Sequence, residues 1–290
     1  MTQLKANNIY KSFKKKNVLK DVNIEINFGE IHGLIGRNGA GKSTLMKILT
    51  GLVNQDSGSF DFVNKDGENL LTTGLIESPA LYPFLNSVEN IKKYNALFNK
   101  DISNKDILFF LKIVGLESIR NKKIKNYSLG MKQRLGLAQV FSIKPDFLVL
   151  DEPFNGLDPE ITIRIKNYLL SLKKEGKCIL ISSHQLNELD KLCDYISILN
   201  NGELFPNINK NIYNEISKYK IETNNSLFTE AILKRNNIKV SYADNNCVIF
   251  STSRHMINDI LNKLINVEIS VYSVTPSKKT LEEIFLEYNG

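Results

Sequence analysis

Eight consecutive residues near the N-terminus, Gly36–Ser43, carry the pattern Gly-x-x-x-x-Gly-Lys-Ser/Thr, which is typical of a loop that binds phosphate groups. Glycines in such a loop let backbone N–H groups turn inward around a phosphate. A helix predicted to begin at Lys42 adds its positive N-terminal end, while Lys42 neutralises phosphate oxygens and the Ser43 hydroxyl binds Mg²⁺. The sequence therefore predicts a nucleotide phosphate site formed by Gly36, Arg37, Asn38, Gly39, Ala40, Gly41, Lys42, Ser43 and Thr44.

Two adjacent carboxylates, Asp151 and Glu152, follow an apolar strand predicted over Phe147–Leu150. Ligands collect at the carboxyl ends of the strands of a parallel sheet, so we expect these side chains to face the phosphate loop. Asp151 then reaches the Mg²⁺, and Glu152 polarises a water molecule for attack on the terminal phosphate. An acidic pair after a strand is a weak signal alone, but about 110 residues beyond a phosphate loop it predicts phosphate hydrolysis.

A second anion site is indicated where Ser128 and Gly130 open a helix that carries Leu135, Leu137 and Val140. Ser128 is suited to cap this helix, and a serine with a glycine at a helix N-terminus can bind an anion. Because the phosphate loop already surrounds one phosphate tail, the second site suggests a nucleotide shared between two chains. Taken alone, the same residues form only a helix cap.

The elements that must position these residues alternate between strands and helices, which indicates a mostly parallel sheet. Apolar residues at every second position predict a half-buried strand over Val22–Phe28, and residues from about 79 to 137 show helical spacing. The other elements predicted in this part of the chain are the strands Ile31–Ile35 and Cys178–Ser182 and the helices Ser43–Leu49 and Ile161–Leu172.

Residues 212–290 are predicted to form a separate small α+β domain after a polar linker at Asn209–Tyr213. The predicted order is β-α-β-β-α-β with a final helix over Thr280–Tyr288, which suits a ferredoxin-like sandwich. This domain could bind a regulatory ligand, stabilise a dimer or clamp the first domain, and the last two readings are favoured. The predicted elements are a strand at Lys218–Glu222, a helix at Leu227–Arg235, a hairpin around Asp244–Asn246, a helix at Met256–Ile265 and a strand at Ile269–Val274.

Composition is that of a globular protein, with 290 residues, 42% hydrophobic and 24% charged. No apolar run reaches the roughly 18 residues that cross a bilayer, and the first residues lack the apolar core of a secretory signal. The three cysteines, Cys178, Cys193 and Cys247, are widely spaced, which predicts no disulfide and fits a reducing cytoplasm. The net charge is +7, and residues 205–290 contribute little to it, with 10 Lys and Arg against 9 Asp and Glu. The only dense basic run, 14–16, is predicted to be a solvated hairpin tip. No nucleic-acid partner is therefore expected.

Residues 1–205 resemble the ATPase domains of ABC-type proteins, most closely the ATP-binding subunits of bacitracin-resistance and lantibiotic-immunity exporters. The stretches that carry the resemblance are Gly36–Thr44, Ile76–Pro79, Tyr127–Arg134 and Asn155–Pro159. The resemblance implies an α/β P-loop NTPase fold with a parallel core sheet, an antiparallel β subdomain and a helical subdomain at about 79–137, to which the small C-terminal α+β domain is added.

Further site residues follow from this resemblance. It implies that Phe13 stacks on adenine, although a core residue of the first hairpin is the alternative reading. Asp158 matches the carboxylate that couples two sites across a dimer, and His184 matches a histidine that contacts the γ-phosphate. His32 and His255 have no such context and are predicted to be structural.

Two departures from the family pattern are visible. The signature Leu-Ser-Gly-Gly-Gln is altered here, because Leu129 replaces its first glycine and Met131 replaces its glutamine. Glu77 stands where most of the family has a glutamine that touches Mg²⁺ and the attacking water. As a third carboxylate beside Asp151 and Glu152, it is expected to slow turnover or tighten coupling to the membrane partner.

The function implied is ATP binding and hydrolysis by one subunit of an exporter that confers resistance to antimicrobial peptides or other hydrophobic compounds. The partners implied are a separate transmembrane permease subunit and a second ATPase subunit, either another copy or a related chain. The chain would then lie at the cytoplasmic face of the cell membrane as a peripheral subunit. The docking surface for the permease would be formed by Leu81, Tyr82, Pro83 and Phe84, although internal packing of these residues is an equally supported alternative. The alternative is a non-transport ABC ATPase in translation or DNA maintenance, whereas a kinase or GTPase lacks the Ser128 motif and His184.

Overall fold

The computed structural model describes residues 3–14, 16–62, 70–209 and 218–277, with Leu281 and Phe285. The chain divides into two compact units, Met1–Asn207 and Ile208–Gly290. The predicted linker at 209–213, apart from Asn209, and most of the predicted helix at 280–288 lie outside the described residues. No helix in the described part of the chain is long and apolar enough to cross a membrane.

The first unit contains two sheets and six α-helices among its described residues. In chain order the elements are β1 (Gln3–Phe13), β2 (Lys16–Asn27), β3 (Ile31–Ile35), α1 (Lys42–Leu49), β4 (Ser57–Phe62), β5 (Thr72–Leu75), α2 (Ser87–Ala96), α3 (Asn104–Ile113), α4 (Leu129–Ser142), β6 (Phe147–Asp151), α5 (Pro159–Lys174), β7 (Cys178–Ser182), α6 (Leu186–Leu192), β8 (Tyr195–Asn200) and β9 (Glu203–Asn209). A six-stranded sheet has the order β5-β6-β7-β3-β8-β9, and a three-stranded antiparallel sheet has the order β2-β1-β4.

Burial follows the sequence pattern of each strand. Every residue of β3, β6 and β7 is buried, and these neighbouring strands run parallel, as expected for a sheet covered on both faces. In β2, by contrast, Val22, Ile24 and Ile26 are buried while the residues between them are exposed. The predicted α/β fold with a parallel core sheet, an antiparallel sheet and a helical region is therefore confirmed.

The helical region consists of α2, α3 and the long helix α4, separated by irregular segments. Each helix starts at a side-chain cap: Asn86 accepts from the Glu89 N–H, Ser103 from the Asp106 N–H and Ser128 from the Met131 N–H. The buried side of these helices is apolar, with Ile107, Phe110 and Leu135 fully buried. Residues 79–86 lie in the connection between β5 and α2, which contains the predicted docking residues 81–84.

The described part of the second unit has the element order β-α-β-β-α-β: β10 (Lys218–Thr223), α7 (Ser226–Arg235), β11 (Lys239–Ala243), β12 (Cys247–Ser251), α8 (Ile257–Ile265) and β13 (Val271–Ser277). The strands form a four-stranded antiparallel sheet of order β11-β12-β10-β13. Apolar residues of the strands and both helices form its core, with Ile221, Phe250 and Leu264 fully buried.

His32 is a fully buried core residue of β3, as its lack of functional context in the sequence suggested. Its Nε2 atom lies 2.9 Å from the Ser197 Oγ atom. Burial lowers the pKa of His32 to about 4, although the Asp194 carboxylate opposes the shift. The imidazole is thus neutral in the folded protein at pH values where it is protonated in the unfolded chain.

We expect this histidine to make the first unit less stable in acid. Between pH 6.5 and about 4 the unfolded chain binds a proton that the folded chain does not, so the free energy of unfolding falls as the pH falls. The loss at the lower limit is about 3 kcal/mol, and above pH 6.5 the histidine has no effect on the pH dependence. Urea unfolding of the wild type and of His32→Gln at pH 7 and pH 4.5 measures it, because glutamine stays neutral and can still bond Ser197. Equal pH dependence in the two proteins would contradict the assignment.

Candidate functional site

The phosphate loop connects β3 to α1, and its shape requires glycine at two positions. A Cβ atom at Gly36 would lie 2.3 Å from the Leu199 carbonyl oxygen, so no other residue fits there without a shift of the backbone. Gly41 has a φ of 110° and directly precedes α1. The first turn of α1 contains no acidic residue, so its N–H groups present uncompensated positive charge.

A cavity of about 500 Å³ lies over this loop and joins it to the end of β6. Most of the residues that the sequence marked for phosphate binding and hydrolysis meet here. Val18, at the start of the buried part of β2, lines the same cavity and was missed by sequence reasoning, because nothing in its own segment marks it. The lining residues are Val18, Asn38, Gly39, Gly41, Lys42, Ser43, Thr44, Asp151 and Glu152.

The Lys42 ammonium group is held by the loop itself. Its Nζ atom donates to the Gly36 carbonyl at 2.7 Å and to the Arg37 carbonyl at 3.3 Å. Burial lowers the pKa of Lys42, and the nearby carboxylates of Glu152 and Asp151 oppose that shift. The loop thus holds a cation at the wall of the cavity, where it can neutralise an anionic ligand.

Ser43, Asp151 and Ser182 form a chain of short hydrogen bonds. The Ser43 hydroxyl donates to Asp151 Oδ2 at 2.8 Å, and the Ser182 hydroxyl donates to Asp151 Oδ1 at 2.5 Å. Mg²⁺ prefers hard oxygen ligands and is usually held by one or two carboxylates, with phosphates and waters completing its shell. A serine hydroxyl beside a carboxylate at the edge of a phosphate loop fits that requirement.

His184 contacts Glu152, which lines the cavity. The His184 backbone N–H donates to Glu152 Oε2 at 3.2 Å, and the His184 Nδ1 atom lies 2.7 Å from the same oxygen. The Glu152 backbone N–H is held by the Ser182 hydroxyl at 3.1 Å, and Glu152 adopts a positive φ of 50°. This local strain aims the carboxylate and is a frequent feature of catalytic positions.

Ser182 is the second residue that sequence reasoning missed. It pairs with Asp151 across the parallel strands β6 and β7, and its hydroxyl contacts both Asp151 and the Glu152 backbone. A polar residue at the last position of a buried strand was the available signal, because the ends of neighbouring parallel strands meet. Ser182 fixes the two carboxylates relative to each other.

Glu77 follows the end of β5, and the positive charge of Lys47 offsets its carboxylate. The Lys47 Nζ atom, in the last turn of α1, donates to Glu77 Oε1 at 2.6 Å. Glu77 also lines a second cavity of about 370 Å³ with Asp151 and Glu152. Three carboxylates therefore do meet here, as expected, but the sequence did not reveal that a lysine from α1 offsets the third. The remaining lining residues are Ser78, Pro79, Leu129, Gly130, Gln133, Asn155 and Gly156.

Some predicted residues do not line the phosphate-loop cavity, among them Ser128, Asp158 and Phe13. Ser128 caps α4, as predicted, by accepting from the Met131 N–H at 3.3 Å. Asp158 caps α5 by accepting from the Ile161 N–H at 2.9 Å. Phe13, at the end of β1, does not line the cavity and is about half exposed, with the Lys11 Nζ atom 5.4 Å from its ring centroid. The alternative reading of Phe13 as a core residue is therefore wrong.

A phosphate loop between a strand and a helix, with a magnesium-type carboxylate and a second carboxylate at the end of another strand of the same sheet, defines a P-loop nucleotide hydrolase. Comparisons with known proteins narrow this class. A family model described as ABC transporter matches residues 19–155. A lantibiotic transport ATP-binding protein of Streptococcus pyogenes is 43% identical over 204 residues, which cover 69% of this chain and 88% of the relative.

Two further comparisons cover different shares of this chain. A bacitracin transport ATP-binding protein of Bacillus licheniformis is 32% identical over an alignment that covers all of this chain and 98% of the relative. A solved structure of an ATP-binding subunit of an ABC transporter superposes with a TM-score of 0.66 at 28% identity, covering 73% of this chain and 92% of that chain. The chain belongs to the ABC transporter family, as an ATP-binding subunit and an ATPase.

Proposed function

We propose that this ATPase drives the export of an antimicrobial peptide, or another hydrophobic compound, through a separate transmembrane permease and so confers resistance or immunity. The observation that supports hydrolysis is that Lys42, Ser43, Asp151 and Glu152 line one cavity, with His184 in contact with the Glu152 carboxylate. The export part is supported by similarity to lantibiotic and bacitracin transport proteins, one of which matches the entire chain.

Each residue of the site has a proposed task. The phosphate loop from Gly36 to Thr44 binds the phosphate tail with its N–H groups, and Lys42 neutralises the β- and γ-phosphates. Ser43, Asp151 and Glu77 hold Mg²⁺, which neutralises charge on the phosphates when bound. The arrangement supports Glu152 as the group that polarises the attacking water, because its carboxylate is oriented by its contact with the ring of His184.

His184 is proposed to contact the γ-phosphate once nucleotide is bound, and Phe13 to stack on adenine. The half-exposed ring of Phe13 is available for such a contact. Ser128 and Gly130 are proposed to bind the nucleotide held by a second ATPase subunit, with Asp158 coupling the two sites. Leu129, between them, is 83% exposed, which suits a position covered only when two chains meet.

The chain is proposed to act as a peripheral subunit at the cytoplasmic face of the cell membrane, held there by the permease through residues 81–84. For residues 212–290, stabilisation of a dimer or of the ATPase unit is proposed ahead of ligand sensing. The similarity of the bacitracin transport protein over the whole chain supports a role for this second unit in transport.

The experiment uses a tagged Glu152→Gln chain, recovered from detergent-solubilised membranes with ATP present, and identifies co-purifying proteins by mass spectrometry. Lys42→Ala is the control, because it removes the cation expected to hold ATP. Recovery of a polytopic membrane protein with Glu152→Gln supports the proposal, and growth of a strain lacking that protein in bacitracin or a lantibiotic tests the substrate class. Ribosomal or DNA-associated proteins, or no partner at all, would favour the non-transport alternative.

A further inference from the structure

Asp56 connects the segment that leaves α1 to the strand that carries Phe13. Its backbone N–H donates to the Tyr10 carbonyl at 2.8 Å, and its carboxylate accepts from the Lys11 Nζ atom and from the Ser12 N–H, both at 2.6 Å. The hydrogen bonds from Lys11 and Ser12 lower the pKa of Asp56, so its carboxylate is ionised at neutral pH. Three successive residues of β1, directly before Phe13, are therefore bonded to one aspartate.

The Lys11 ammonium group contacts both Asp56 and the ring of Phe13. Its Nζ atom lies 2.6 Å from Asp56 Oδ1 and 5.4 Å from the centroid of the Phe13 ring. A cation within about 6 Å of a ring centroid is attracted by the negative charge of the ring face. Lysine side chains are mostly exposed, but that of Lys11 is only 14% exposed. Lys11 is thus held in place between the carboxylate and the ring.

The other strand of the hairpin holds the same end of β1. The Ser12 hydroxyl donates to Asn17 Oδ1 at 2.9 Å, and Phe13 is paired with Lys16 across β1 and β2. The backbone that carries Phe13 is therefore fixed from two sides, although its ring stays about half exposed. A ring that is already oriented loses little freedom when a ligand stacks on it.

The segment that contains Asp56 is tied to α1, the helix that follows the phosphate loop. The Leu52 and Val53 N–H groups both donate to the Lys47 carbonyl in the last turn of α1, at 2.8 Å and 3.2 Å. Asp56 follows Val53 by only three positions in the sequence. The contacts of Asp56 with β1 therefore fix the position of the Phe13 ring relative to the helix at the phosphate end of the site.

We propose that Asp56 is a positioning residue for the base of the bound nucleotide: acting through Lys11, it orients the Phe13 ring and sets its distance from the phosphate loop. The inference rests on the proposed stacking of Phe13 on adenine, and adds the residues that place the ring. Stacking uses the flat face of a base and reads no hydrogen-bonding edge. Asp56 and Lys11 thus contribute affinity for a ligand that carries an aromatic base, and none for its phosphates.

The test compares the magnesium complexes of ADP, which carries the base, and of pyrophosphate, which carries only phosphates. Isothermal titration calorimetry on the full chain measures the Kd of each. Phe13→Ala should raise the Kd for ADP about 5–150-fold, the range expected when an aromatic side chain that stacks on a base is removed. Asp56→Asn should raise it by part of that range, about 3–10-fold, because its NH₂ group faces a donor, either Lys11 or the Ser12 N–H.

Pyrophosphate gives the internal control for both variants. Its Kd should stay within about twofold, because Phe13, Lys11 and Asp56 do not line the phosphate-loop cavity. Retained pyrophosphate binding also shows that a variant is folded. Loss of the negative charge of Asp56 would by itself strengthen the binding of an anion, so weaker ADP binding has to come from the base.

Asp61→Asn is the matched control for the aspartate. It removes the same charge from an exposed residue of β4, opposite Lys5 of β1, and should leave both constants within about twofold. Lys11→Met should reproduce the selective loss of ADP affinity seen with Asp56→Asn. Lys11→Arg should restore most of it, because a guanidinium group also pairs with a carboxylate and lies over aromatic rings.

A double-mutant cycle decides whether Asp56 acts through the ring. In a Phe13→Ala background, Asp56→Asn should have no further effect on the Kd for ADP. An equal effect in both backgrounds overturns the inference, as does an Asp56→Asn protein that binds ADP normally or that loses ADP and pyrophosphate to the same extent. If Phe13→Ala itself leaves the Kd for ADP unchanged, the proposed stacking on adenine is wrong, and the inference fails with it.

Discussion

Replacing Glu152 by glutamine is expected to lower kcat for ATP hydrolysis by about 10²–10⁴-fold while ATP binding is retained. Glutamine keeps the size and the backbone contacts of Glu152 with Ser182, but it lacks the negative charge that polarises water. The loss should therefore appear in kcat and not in the affinity for ATP. Phosphate release at saturating ATP measures the first quantity, and equilibrium binding of a fluorescent ATP analogue measures the second.

Glu160→Gln is the matched control for this prediction. Glu160 lies in the first turn of α5, largely exposed and paired with Arg164, and it does not line either cavity of the site. Its replacement should change kcat by less than about twofold, because exposed ion pairs contribute little. A Glu152→Gln protein that hydrolyses ATP as fast as Glu160→Gln would show that another group polarises the water.

Glu152→Gln should also accumulate as a closed dimer, since ATP that is bound but not hydrolysed keeps two subunits together. Size-exclusion chromatography with and without ATP tests this, and addition of EDTA asks whether Mg²⁺ is required. If the Glu152→Gln protein is a monomer both with and without ATP, two subunits do not share a nucleotide. That result would contradict the proposal that Ser128 and Gly130 bind the nucleotide held by the second subunit. It would leave the role of Glu152 to be decided by the kinetics alone.

The parts of the site that could be read from sequence are those formed by one continuous segment. The phosphate loop is such a segment, because glycine spacing, the lysine and the flanking strand and helix are all local. Asp151 and Glu152 were also predictable, since a buried strand of known direction carries them to the same edge of the sheet. Ser182 lies at a strand end for the same reason, but its contacts with Asp151 and Glu152 can be identified only when the register between β6 and β7 is known.

Contacts between distant elements could not be read in this way. Glu77 was expected as a third carboxylate beside Asp151 and Glu152, and only the folded structure shows that Lys47 of α1 pairs with it. The exposure of Phe13 likewise depends on where the tip of the β1–β2 hairpin points, which no local pattern determines. In the second unit, β10 alternates between buried and half-buried residues, which is the kind of pattern from which a strand can be predicted.

Two lysines on α1 give the sharpest contrast within the site. Lys42→Ala is expected to lower kcat/KM for ATP by about 10²–10³-fold, because it removes a preorganised donor from a partly buried site where charge develops on the phosphates. Lys47→Ala, one helical turn further, should cost about fivefold or less, because its partner Glu77 is exposed and solvent screens the pair. Both values are measured by steady-state ATP hydrolysis at fixed free Mg²⁺.

Lys47 can be shown to act through Glu77 by a double-mutant cycle. Without the lysine, Glu77 adds an uncompensated negative charge beside Asp151 and Glu152, which disfavours binding of an anionic nucleotide. Lys47→Ala should therefore raise KM more than it lowers kcat, Lys47→Arg should restore most of the loss, and Lys47→Ala should have no effect in a Glu77→Gln background. An equal effect in both backgrounds would mean that Lys47 contacts the nucleotide or stabilises α1 independently of Glu77. The same series decides whether Glu77 slows turnover, because Glu77→Gln restores the residue that most of the family carries and should then raise kcat.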